Sequence, residues 1–310
     1  MRNAFARALY EEAVANPDIF LVVADISPAG PMSQFTSEFP HRFVNVGVAE
    51  QCMVGIAAGL ALKGYRPFTY TIATFALYRP FEMIRDDLCY QSLPVTVVGI
   101  GGGVVYSTLG ATHYAQEDVA VMSAIPNMQI IAPCDPVECV EATRWTARQS
   151  RGPVYLRLGK AGEPTLGDEA APWEFGKIRF LRRGIDVVVL TYGVIAKMAL
   201  SIADRLSASG RSASVVSVHT LKPLDRTGIV DAIRLHGHVV VLEEHSPFGG
   251  LGAQVKQIAW DIGASAKLDA FTLQDRFVHS YGSHDVLLAA HGLSEEDVLR
   301  RVLSTAATRG

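Results

Sequence analysis

A glutamate at the start of an apolar helix is the residue of this chain best placed to do chemistry. Glu50 lies in GVAEQCMVGIAAGLALKG (47–64), where a short apolar run turns into a segment with almost no other charge. Two readings stand side by side. An acid in a first turn complements the positive end of the helix dipole. A carboxyl among so many apolar neighbours is also partly desolvated, which raises its pKa and lets it hold or give a proton near neutrality. Phe75 and Tyr78, in YTIATFALYRPFEMIR (70–85), stand three apart on one helical face. They are either core or a platform for a planar heterocycle. His113, in GATHYAQED (110–118), occupies a loop before a helix, where a lone histidine is most often surface. Arg157 stands near the carboxyl end of PVYLRL (153–158). There it either forms an ion pair or holds a phosphate or carboxylate.

The glycines of GIGGGVV (99–105) suggest a dinucleotide loop but do not fit it. The G-x-G-x-x-G spacing fails at Val104, and no acid ends a strand about 20 residues on.

The elements that must position these residues alternate short apolar runs with amphipathic helices. Phe5, Leu9 and Ala13 recur at helical spacing before Asn16-Pro17-Asp18 stops the helix. Strands are expected over 19–25, 43–46, 66–71, 94–100, 128–133 and 153–158. Their continuous apolar character suits a parallel sheet buried on both faces. Helices are expected over 50–63, closed by Gly64, and over 76–91, 117–124 and 136–149. This is a doubly wound α/β domain. Residues 159–184 carry Gly, Pro and acids without a helical period and read as a surface linker. A second α/β unit follows: strand 186–193, helix 194–209, strand 212–221, helix 225–235, strand 238–245, and a helix opened by Gly249, Gly250 and Gly252. Ser294 to Asp297 matches a capping box for a last helix.

The 310 residues suffice for two domains. The 28 Lys and Arg against 31 Asp and Glu give a net charge of −3, no basic field for nucleic acid or an anionic membrane. Charged residues are only 19%, which favours surface hidden in an oligomer. The N-terminus lacks a signal-peptide pattern, and no window is apolar enough to span a membrane. Cys52, Cys89, Cys134 and Cys139 form no CxxC pair and are expected as buried or half-buried free thiols in a reducing cytoplasm.

Taken in order, DIFLVVADISPA, RFVNVGVAEQ, TFALY, GATH, AIPNMQIIAPCDPVE, GPVYLRLGK and VVVLEEHSPFGGLG resemble the transketolase family. The resemblance runs from Met1 to about Ser304. A complete transketolase grips the diphosphate of its cofactor and Mg²⁺ through a GDG…N motif, which this sequence lacks. The chain therefore resembles the C-terminal half of a split enzyme: a pyrimidine-binding domain over 1–165, a linker over 166–184 and a transketolase C-terminal domain over 185–310. The resemblance implies thiamine diphosphate shared with an N-terminal transketolase subunit that holds Mg²⁺, in an α2β2 heterotetramer, with no metal site in this chain. It makes Glu50 the partner of N1′ of the aminopyrimidine ring, favouring the imino tautomer whose 4′ nitrogen deprotonates thiazolium C2. The cofactor then moves a two-carbon ketol unit from a ketose to an aldehyde. Phe75 and Tyr78 become pyrimidine-stacking residues and His113 a contact for substrate oxygens. Arg157 and Arg2 become holders of the far end of the sugar. The EEH segment and the glycine-opened helix are assigned to dimerisation, and His245 has no catalytic role.

Three departures from the family's sugar-phosphate pattern stand out. Leu109 replaces an Asp, the Gly101–Gly103 run replaces a His, and Ala29 replaces a Ser. Losing three polar contacts should shift specificity toward an acceptor outside the usual pentose phosphates, less polar or unphosphorylated. The rival within thiamine enzymes is the β subunit of a 2-oxo acid dehydrogenase first component, which shares the EEH…GG-x-G segment and the Glu. The GATH loop argues against it, and Tyr78 argues against a deoxyxylulose-phosphate synthase half. The rival outside them is a non-catalytic scaffold.

Overall fold

The computed structural model describes residues 1–26, 31–167 and 172–304. Ala29 lies outside the described residues.

Twelve strands build two sheets. The first sheet takes β1 (Ile19–Val23), β2 (Phe43–Asn45), β3 (Arg66–Ile72), β4 (Thr96–Ile100), β5 (Gln129–Ile131) and β6 (Val154–Leu158), together with β10 (Thr220–Lys222). Its order is β10-β5-β6-β4-β3-β1-β2, and β1 to β6 pair in parallel. The second sheet takes β7 (Arg179–Arg182), β8 (Val187–Thr191), β9 (Ala213–Ser217), β11 (His238–Leu242) and β12 (Lys267–Phe271), ordered β12-β11-β8-β9-β7. The apolar runs β4, β6, β8, β9 and β11 are buried at every position, as strands covered on both faces must be.

Three elements differ from the sequence expectation. The helix expected over 76–91 is broken: Ala73–Leu77 is helical, Phe81–Met83 makes one turn, and Ile84–Tyr90 is π-helical. Pro80 is the cause, because it lacks an N–H and its ring clashes with the preceding turn. The expected linker contributes β7, which pairs antiparallel with β9. The strand expected over 212–221 divides. β9 stays in the second sheet, while β10 crosses over and pairs antiparallel with β5. The division ties the halves together. One apolar cluster holds Val22, Met53 and Ala57 from the first half with Val188, Val216 and Val239 from the second.

Glu50–Leu62 is the helix that matters most for the site. Met53, Val54, Ala57, Ala58 and Ala61 face the core. Gly64, at φ +92, closes it: Tyr65 N–H reaches Leu60 O at 3.1 Å and Gly64 N–H reaches Ala61 O at 3.0 Å. That pair of bonds is a Schellman motif, which needs a left-handed residue where glycine stands. Cys52 lies on the outer face and is exposed, against expectation, while Cys89, Cys134 and Cys139 are buried thiols. At the far end, Asp297 N–H donates to Ser294 Oγ at 3.2 Å, the expected cap of the last helix. Among the described residues, no helix is long and apolar enough to cross a membrane.

Candidate active site

The parallel strands β2, β3, β4 and β6 deliver their carboxyl ends to one edge, where open α/β sheets hold ligands. Glu50 opens the helix after β2 and is 2% exposed. It is not a lone dry acid. Both carboxylate oxygens accept from Arg79 Nη1, at 3.0 and 2.9 Å. The guanidinium carbon lies 4.3 Å from the centre of the Phe75 ring. Phe75 meets His113 edge-on with ring centres 5.1 Å apart. His113 in turn meets Tyr106 at 6.4 Å, and Lys160 Nζ stands 5.5 Å from the Tyr106 ring. Glu50, Arg79, Phe75, His113, Tyr106 and Lys160 thus form one continuous row.

His113 ends the short turn Ala111–His113, and its Nδ1 is 3.0 Å from Thr112 Oγ1. Burial lowers its pKa, so the ring is neutral at pH 7 and can give or take a hydrogen bond. Burial raises the Tyr106 phenol, and nearby Arg2 pulls it partway back. Arg2 is half-buried, and its Nε has no hydrogen-bond partner. It therefore borders the Tyr106 end of the row.

Two assignments need correcting. Tyr78 does not share a platform with Phe75: among the described residues the two rings make no contact. Its ring packs against the core and its hydroxyl is buried without a partner. Burial first, then Asp118 and Glu117, push that hydroxyl's pKa up. The helix carrying Phe75 ends at Leu77, so the expected helical face does not extend between them. Arg157 is 4% exposed and does not reach the row as an open cation. Its Nε donates to Asp118 Oδ2 at 2.8 Å and its Nη2 to the Glu244 carbonyl at 3.1 Å. Tyr155 donates to the same Asp118 oxygen at 2.7 Å. Every position of β6 is buried, so a cation within the strand has to find its counter-charge inside. Lys160, two residues past the strand end and exposed, is the cation that reaches the opening.

The glycine run explains itself through contacts, not nucleotide binding. A Cβ on Gly101 would lie 2.3 Å from the Tyr106 ring, on Gly102 2.5 Å from the Arg157 guanidinium, and on Gly103 2.5 Å from the Glu244 carboxylate. The space that a side chain at 101 would take is filled by Tyr106. Leu109 is half-exposed.

The EEH segment fastens the two halves of this chain together instead of facing another chain. Glu243 accepts from Leu251 N–H, Gly252 N–H and Tyr192 Oη at 2.9, 2.8 and 3.0 Å. Glu244 accepts from Val104 N–H at 2.6 Å and pairs with His284 at 2.8 Å. His245 is buried and accepts from Ala120 N–H at 3.2 Å, a structural bond.

Cys134, Asp135 and Glu138 lie close enough together to bind a metal ion, yet their oxygens are engaged. Asp135 caps its helix through Glu138 N–H and also accepts from Leu166 N–H, both at 2.9 Å. Glu138 accepts from Cys134 N–H at 2.8 Å and Ser217 Oγ at 3.0 Å, and buried Arg179 pairs with both acids.

Sequence reasoning missed Arg79, Tyr106 and Lys160. Arg79 carried a faint signal, a cation in an apolar stretch just before a proline. Lys160 closes GPVYLRLGK. Tyr106 carried none, because only the loop fold brings it over Gly101.

Two family models match the chain: the transketolase pyrimidine-binding domain over residues 1–162 and the transketolase C-terminal domain over 176–298. A putative transketolase C-terminal section from Methanocaldococcus jannaschii is 35% identical over 98% of this chain and 95% of that protein. One chain of the apulose-4-phosphate transketolase of Actinobacillus succinogenes is 32% identical over 93% of this chain and 92% of that protein. The solved structure of a split-gene transketolase, an inactive β4 tetramer, is 36% identical. It covers 98% of this chain and 96% of that one, with a TM-score of 0.84.

Proposed function

The chain belongs to the transketolase family, and from that premise we propose that it is the subunit of a two-chain transketolase that activates the cofactor ring and shapes the sugar site. The observation that carries this is the geometry at Glu50. Its two oxygens accept N–H bonds from a planar cation lying over the Phe75 ring. An aminopyrimidine is likewise a planar N–H donor, so the ring half of thiamine diphosphate fits these residues. When bound, that cofactor supplies a nucleophilic carbon and an electron sink for a two-carbon unit. Glu50 would hold the ring at N1′ and bias its tautomer, and Phe75 would give it a face. His113, neutral and next to Phe75, would hydrogen-bond substrate oxygens.

The diphosphate half finds no comparable place among the described residues. The buried acidic group that could take a metal is occupied by hydrogen bonds and Arg179. A companion N-terminal subunit would hold the diphosphate and Mg²⁺, in an α2β2 assembly. The relatives support this: they are single sections or chains of split transketolases, and the solved tetramer of β chains alone is described as inactive.

The substrate differs from the usual pentose phosphates in our reading. Leu109 and the Tyr106-filled space at Gly101 remove polar contacts, while Lys160 keeps an exposed cation at the opening. We favour a sugar with an anionic end directed at Lys160 over the uncharged acceptor expected from the three departures alone. The name of the Actinobacillus relative, which specifies a sugar phosphate, points the same way.

Mixing this chain with its companion subunit, thiamine diphosphate and Mg²⁺ tests the proposal. Ketol transfer by the pair, and none by this chain alone, is the expected result. Tight Mg²⁺-dependent cofactor binding by this chain alone, read by titration calorimetry, would overturn the split site. Efficient turnover of xylulose 5-phosphate with ribose 5-phosphate would overturn the substrate reading.

A further inference from the structure

Arg79 lies where a cofactor ring would have to lie. Its guanidinium bridges the two residues assigned to that ring, 2.9 and 3.0 Å from the Glu50 oxygens and 4.3 Å over Phe75. Glu50 is 3% exposed on its side chain and Arg79 43%. The acid is therefore fixed, whereas the arginine comes in from solvent and has room to leave. The backbone favours such a swing, because Arg79 follows the last turn of Ala73–Leu77 and precedes Pro80. A short turn and a π-helical stretch come next, a feature that often marks functional segments.

We propose that Arg79 is a gate on the cofactor-ring site: it caps Glu50 and covers Phe75, and the aminopyrimidine ring must displace it to bind. The inference rests on the thiamine reading of Glu50 and adds a residue to which that reading gives no part. Until displaced, the guanidinium gives buried Glu50 a counter-charge, so the open subunit does not carry an unpaired carboxylate in an apolar setting. The cost is affinity, since the cofactor binds only the fraction of molecules in which Arg79 has left. A half-exposed pair of this kind lowers apparent affinity by roughly three- to ten-fold.

The test measures binding of thiamine diphosphate with Mg²⁺ to the assembled two-chain enzyme by titration calorimetry, for wild type, Arg79→Gln and Arg79→Lys. Arg79→Gln is expected to bind roughly three- to ten-fold more tightly than wild type. Arg79→Lys, which keeps the charge without the planar fork, is expected in between. Wild type binding as tightly as Arg79→Gln overturns the gate and leaves the thiamine reading intact. Absence of binding to all three proteins overturns both. A crystal structure of the wild-type pair with thiamine diphosphate guards against a variant that folds poorly. In it Arg79 must have left Glu50 with the ring in its place, and a retained ion pair overturns the gate.

Discussion

Two charged regions lie within one sheet edge of each other and are built on opposite terms. In the row at the opening, Arg79 is half-exposed, Lys160 is exposed and His113 is partly open. In the seam behind it, Asp118, Arg157 and Glu244 are buried, and each has at least two polar partners. A charge that meets substrate has to be able to exchange its partner, so it sits where water or a ligand can replace that partner. A buried charge cannot exchange without exposing its counter-ion, so it holds structure. Arg157 and Lys160 stand three residues apart and fall on opposite sides of that division.

Substitutions can break this contrast, beginning with the most severe. Glu50→Ala in the assembled enzyme should lower ketol transfer by roughly 10²- to 10⁴-fold while the subunit melts and assembles normally. Wild-type-like turnover would remove Glu50 from the chemistry. Asp118→Ala should do the reverse, costing about 3–5 kcal/mol of stability because Arg157 is left buried without a counter-charge. Urea unfolding reads the loss, and a midpoint unchanged from wild type would refute the seam.

Lys160→Ala should raise KM for a phosphorylated acceptor by roughly tenfold, the value of one charge-assisted hydrogen bond, and leave the urea midpoint in place. Equal KM values for the variant and wild type would return the anion site to some other residue. The smallest effect belongs to His284 on Glu244. Burial opposes its charge, but the carboxylate beside it prevails, and the pKa ends above the ordinary 6.5. A group raised on folding stabilises fully below its unfolded pKa and loses that contribution as pH rises through its folded value. Stability should therefore fall above about pH 6.5, by at most about 1 kcal/mol, and His284→Gln should flatten that slope. An identical pH profile in the variant would show that the pair contributes nothing to the seam.

Much of the fold was legible from residue pattern alone. Continuous apolar runs marked the parallel strands β1, β4, β6, β8 and β11, because strands buried on both faces have no polar side to present. The helix at Glu50 and its glycine stop were legible for the same local reason. Breaks in the chain were less so. Pro80 was in plain sight within the expected helix 76–91, yet the apolar period ran across it. The crossover of β10 to the other sheet depends on pairing with β5, about ninety residues away, which no local period encodes.

The site divides in the same way. Sequence by itself determined that an acid begins a dry helix, that a histidine follows in the GATH loop, and that cations close the strand PVYLRL with its trailing Gly-Lys. Residue type and short-range spacing are local properties, and the burial of an apolar helix follows from its composition. Only the tertiary structure decided which cation faces the opening, that Tyr106 fills the place of a side chain at Gly101, and that Arg79 rests on Glu50. Those outcomes depend on which distant elements meet. Whether a charge is saturated or free depends on the partners the fold brings to it.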